Sequence, residues 1–138
     1  MNTQKFIVSG IVGGVVSFLV GWLIWGTLLM GYMKDHHGID VTVNRTEMIW
    51  WALIAGNLFN GLTLSYIFNK WANITTISAG AMGGAVLGLL MGAAMDLSFY
   101  ATTQIYSIHS MCADILGGIV ASAIVGAAVG WANGWGKK

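Results

Sequence analysis

Residues 77–101 read ISAGAMGGAVLGLLMGAAMDLSFYA. Asp96 is their one charged residue, and the uncharged run before it reaches back to Lys70. About 20 predominantly apolar residues span a hydrocarbon core roughly 30 Å thick, and this run is longer. Apolar positions follow one another without strict alternation, so the period is that of a helix rather than a half-buried strand. Glycine recurs at 80, 84, 88 and 92, and the next step of four is Asp96. Small residues at that spacing let a second helix approach closely, which is how helices associate where lipid supplies little hydrophobic drive. The segment is therefore expected to cross a membrane with one face against another helix.

Three more uncharged intervals lie outward from it: Lys5 to Lys34, Glu47 to Lys70 and Asp114 to Lys137. They place the four spans at Phe6–Met30, Met48–Phe68, Ile77–Ala101 and Met111–Asn133. Across 138 residues, hydrophobic content is 57% and charged content only 8%, against about a quarter charged in soluble domains. The expected fold class is an all-α integral membrane protein, a single domain of four transmembrane helices in contact with the lipid bilayer. The first apolar run exceeds a signal-peptide core and is read as a retained helix. A net charge of +1 points to no nucleic-acid partner, and the single Cys112 excludes an internal disulfide framework. With no proline in the chain, proline-kinked helices are not expected.

Four spans place both termini on one side, with Lys5, Lys70, Lys137 and Lys138; Lys34 and Arg45 fall on the other. The positive-inside rule makes the terminal side cytoplasmic in a cell membrane, the inner membrane in a bacterium. Trp50, Trp51, Trp71, Trp131 and Trp135 fall at span ends, where aromatic side chains anchor to the interface. Trp22 and Trp25 lie deeper and are read as packing residues.

The chain also matches itself. Gly10, Gly13, Gly14 and Leu19 align with Gly80, Gly83, Gly84 and Leu89 at one offset. Asn57, Gly61 and Ser65 align with Asp114, Gly118 and Ser122 at another. A duplicated helical hairpin would produce both series, as would chance likeness between glycine-rich segments. Further small-residue stripes run through Ser9, Gly13, Ser17 and Gly21, and through Gly118, Ser122, Gly126 and Gly130. They are expected to pack helices inside one chain, with a seam of a homo-oligomer or larger membrane complex as the alternative. Asn57 and Asn60 are expected to hydrogen-bond between helices.

Chemistry is sparse. Asp96 ends the stripe of the third span and Asp114 begins that of the fourth, so a short connection brings them to similar depth. An ionisable residue within a span is a functional candidate; a neutral acid kept for packing is the plainer account. Two adjacent carboxyls cannot both ionise cheaply and are expected to share a proton, with His109 as a candidate to exchange it. His36, His37 and Asp40 could ligate a metal with His109, but their spacing matches no zinc motif and a solvated loop is preferred. No nucleophile and base stand together and no phosphate-binding loop occurs, so no enzyme and no cofactor are expected.

FLVGWLIWGTLLMGYMK (residues 18–34), GLLMGAAMDLSFYATTQIYS (88–107) and CADILGGIVASAIVGAAVGW (112–131) resemble the DUF1761 family of small four-helix bacterial membrane proteins. The resemblance implies an inner-membrane helical fold, with a polar residue opening the last helix as Asp114 does, and no activity. Where that family has an aromatic-proline element after the first helix, this chain has Trp25-Gly26-Thr27. The first function expected is thus a structural or accessory subunit that packs against itself or a larger complex. A small oligomeric transporter or channel using Asp96 and Asp114 comes second, and an outer-face metal-dependent enzyme third.

Overall fold

A computed structural model describes residues 1–36 and 47–136. Helix α1 (Thr3–Leu23) runs into a π-helical turn (Ile24–Leu28) and a short α2 (Met30–Asp35). Helix α3 (Trp50–Ile67) ends in a second π turn (Phe68–Ala72), and α4 (Ile77–Thr102) and α5 (Ile108–Gly134) follow. Among the described residues four stretches are long and apolar enough to cross a membrane: Thr3–Leu28, Trp50–Ala72, Ile77–Thr102 and Ile108–Gly134. The all-α, four-span architecture is thereby established.

Helix ends differ by a few residues from the charge-bounded spans because side chains set them. Asn2 accepts a hydrogen bond from the Lys5 amide at 3.2 Å and starts α1 before the apolar run begins. Thr76 does the same for the Ala79 amide at the head of α4. Ser107 and Ser110 form a reciprocal capping box that starts α5 at Ile108 rather than Met111. At the end of the second π turn, Asn73 takes a left-handed conformation (φ 49°), which asparagine tolerates better than most residues. The two π turns are irregularities that proline content does not reveal.

Helices α1, α3 and α5 pack around one another, and α4 lies almost wholly against α5. The bundle turns large apolar side chains outward and buries small and polar ones beside a small apolar core. Met82, Leu90 and Met95 of α4 are all more than 60% exposed, while Ser9, Ser17, Ser65, Ser110 and Asn133 are buried. That inversion suits a lipid surround, where association depends on close contact and interhelical hydrogen bonds. Among the described residues no buried side-chain nitrogen or oxygen lacks a partner.

Glycines set the closest approaches, inside one chain. A methyl group on Gly61 would collide with the α1 backbone at Gly10, Gly13 and Gly14. In the second hairpin, one on Gly126 would collide with Gly80 and Gly84, and one on Gly84 with the Ser122 carbonyl. Gly88 meets Ser122, and Gly130 meets Thr76 and Gly80. The hairpins thus close on the same kind of contact, in a register that departs from the sequence alignment. Gly61 takes the place of Gly126, not Gly118, and Asn57 that of Ser122, not Asp114. Small residues spaced by four look alike after a slip of two turns, so sequence comparison cannot distinguish these registers.

The expected stripes are also shorter in space than in sequence. Gly92 and Gly118 face open space, and Gly21 has only the Trp25 ring nearby, at 3.9 Å. Helices crossing at an angle hold their backbones in closest contact over only a few turns; here that closest contact lies toward the termini. Lys5 Nζ donates to the Asn133 carbonyl at 3.3 Å, placing the beginning of α1 beside the end of α5. This is the terminal end of the bundle, and the opposite one is the far end.

Candidate carboxyl site and adjoining cavity

Asp96 and Asp114 come together at the far end. Asp96, one step beyond Gly92, is 6% exposed, and its carboxyl is within hydrogen-bonding reach of that of Asp114. Among the described residues two neutral donors reach Asp114. The indole N–H of Trp25 donates to Oδ1, and the Tyr106 hydroxyl donates to Oδ2 at 3.3 Å. Trp25 is delivered by the first π turn, and a π turn rotates the side chains that follow it relative to a regular helix. Tyr106 sits immediately before the capping box, so the signal that starts α5 also places the phenol over Asp114. Burial, the Asp114 and Asp96 charges and the hydrogen bond to Asp114 push the Tyr106 phenol up to about 12, so it remains a donor throughout the physiological range. Ser107 Oγ donates to the His36 carbonyl, tying the end of α2 to this connection.

His109 is not part of this cluster. Its ring lies 5.7 Å from that of His36, which stacks on Tyr32 at 4.1 Å. His109 lines a groove with Cys112, Leu116 and Val120, on the face of α5 roughly opposite Asp114. Among the described residues no hydrogen bond links His109 to either acid, and no group of three or more His, Cys, Asp or Glu gathers. His37 and Asp40, the other metal candidates, lie outside the described residues, as do Arg45, Lys137 and Lys138.

A cavity of about 660 Å³ opens beside Trp25 where α1, α3 and α5 diverge. Trp22, Trp25 and Trp50 stand around it, with Met30 and Met48 nearby. Trp22, read as a packing residue, is instead 64% exposed and forms part of this wall. Ser17, Asn57 and Asn60 form the polar part of the lining. Ser17 Oγ donates to Asn57 Oδ1 at 2.8 Å and accepts from Asn60 Nδ2 at 2.9 Å. Both asparagines therefore join α3 to α1, and Asn57 also donates to the Leu53 carbonyl at 2.9 Å. Gly118 and Ser122 border the cavity from α5, which accounts for the open space at Gly118.

The terminal end is closed. Leu64, Phe68, Val125 and Val129 make the buried apolar core. Beside it, Ser9 and Ser65 share a hydrogen bond of 2.7 Å, and Asn69 Nδ2 donates to Asn133 Oδ1 at 2.9 Å. Asn133 in turn donates to the Ile74 carbonyl at 3.1 Å. Sequence reading passed over Asn69 and Asn133, although Asn57, Gly61, Ser65 and Asn69 continue one stripe of four. Comparison with known proteins finds no family model, no curated protein and no solved structure that matches this chain.

Proposed function

We propose that the chain is a proton-linked binding or transport protein of a cell membrane, without catalytic chemistry of its own. The observation that carries this reading is the meeting of Asp96 and Asp114, one of them nearly inaccessible, with neutral donors alone hydrogen-bonded to Asp114 among the described residues. Facing carboxylates repel unless a proton lies between them, and a shared proton titrates as a property of the pair. Helix packing alone has no need of two acids, whereas proton relays in membranes are built from such groups. The terminal end, with Lys5 and Lys70, is cytoplasmic on this reading, and the pair and cavity are supplied from outside. Kinship with the DUF1761 proteins belongs to the same proposal and brings no activity with it.

A second reading, a structural or self-associating subunit, is favoured by α4. That helix packs on one neighbour and turns large apolar side chains outward, a surface suited to lipid, a second copy or a larger membrane complex.

Infrared titration of the purified chain separates the two. A protonated carboxyl band near neutral pH should vanish in Asp96→Asn and in Asp114→Asn, while proteoliposomes of both variants lose the proton uptake of the parent. A parent with both carboxylates ionised at neutral pH and no uptake would refute proton linkage. Variants that lose assembly together with the band would assign the acids to packing.

A further inference from the structure

We propose that the far-end cavity is a binding site for a small lipophilic organic cation of the quaternary-ammonium class. The proposal deepens the proton-linked reading and rests on it only for the part played by the acid pair. The volume, about 660 Å³, falls in the range of small-molecule sites, which are mostly apolar with a few placed polar groups. Among the described residues no lysine, arginine or histidine lines it, so the described wall offers an anion no countercharge. Three indoles stand around the space, and the face of tryptophan is the strongest aromatic partner for a cation. One of them, Trp25, donates its N–H to Asp114. A donor held by a carboxylate is polarised towards it, which makes the ring face more negative and carries the acid's field to the wall. The lining amide and hydroxyl groups are already bonded to one another, so they offer shape and residual polarity rather than a strong demand for a donor.

The wall also gives a route between cation and proton. Among the described residues the titratable groups around the Trp25 N–H are Asp114 of α5, Asp96 of α4 and Tyr106 of the connection. His36 and His109 lie beside each other, with His109 on the opposite face of α5. A cation against Trp25 favours the ionised pair and a proton on the pair disfavours the cation; by linkage each weakens the other equally.

Equilibrium dialysis of labelled benzyltrimethylammonium against the full chain in detergent tests the proposal. The neutral carbon isostere, neopentylbenzene, serves as competitor. Saturable binding at a single site per chain is expected, with the isostere unable to displace the cation. Trp22→Leu and Trp50→Leu, at side chains more than half exposed and therefore safe for folding, should each weaken binding about tenfold, the order of one partly desolvated cation–π contact. Acidification through the titration of the carboxyl band should weaken it comparably. Absence of saturable binding, equal displacement by the isostere, or parental affinity in both tryptophan variants would overturn the proposal. An intact infrared band without cation binding removes the ligand class and leaves the proton-linked pair. Cation binding that ignores pH, with no carboxyl band, keeps the cavity site and removes the proton linkage.

Discussion

At the scale of single residues, the functional candidates are held by very few contacts. Asp114 is oriented by one indole and one phenol, each from a different part of the chain. Tyr106 offers the cleaner measurement because it lies outside the spans. Its phenolate is penalised by burial and by two acids, so folding favours the neutral form. The sign follows directly: the stabilising contact is complete below the ordinary tyrosine value of 10.0 and is lost as pH rises through about 12. Tyrosinate absorbance of the parent should contain a component titrating near 12, and Tyr106→Phe should remove that component alone. A parent in which all phenols titrate together at the ordinary value would show that Tyr106 is not held against Asp114. Asp96 and Asp114 were legible in the sequence because charge is rare in such a chain. Trp25 as their partner was not, since a π turn has no composition of its own and sets which way the indole points.

At the scale of elements, the glycine stripes divide into contacts that bear on stability and positions that do not. Gly84 faces the Ser122 carbonyl, with the backbone of Gly126 close behind, whereas Gly92, two turns on in the same stripe, faces nothing within 4 Å. Overpacking a tight contact costs about 1–3 kcal/mol, and a backbone obstacle can relax little. Gly84→Ile should therefore lower the thermal midpoint of the detergent-solubilised protein by that order of energy. Gly92→Ile should change stability by no more than about 0.5 kcal/mol, as for a surface position. Equal destabilisation by the two would mean that the backbones of α4 and α5 stay as close at Gly92 as at Gly84. Periodicity showed the stripe but not its extent, because the crossing of two helices ends a contact that the spacing alone would prolong. The same limitation hid the register of the hairpins, where Gly61 answers to Gly126.

For the whole molecule, one end is sealed and the other opens. The sealed end brings Lys5 against Asn133, from the two ends of the described chain, so both termini should react from one membrane side. In right-side-out vesicles, engineered cysteines at Thr3 and Gly136 should be shielded from an impermeant maleimide, and one at Glu47 should react, once Cys112 is replaced by Ser. Labelling of Thr3 and Gly136 on opposite sides would contradict the four-span bundle; labelling of both from outside would invert it. The number of spans and the sharing of a side by the termini were determined by sequence alone, because the cost of burying charge in hydrocarbon confines charged residues to the ends of uncharged runs. The identities of the acids and the interhelical hydrogen bonding of Asn57 and Asn60 were legible for the same reason: a polar group within a span must find a partner or a task. Which helices touch, how far the stripes stay in contact and where the bundle opens were decided only by tertiary structure. Those features follow from the angles at which helices cross and from two π turns, and so does the placing of Trp25 on Asp114 with His109 turned away. Many sequences with the same spacing of small residues are compatible with several crossings, and close packing of particular backbones selects one.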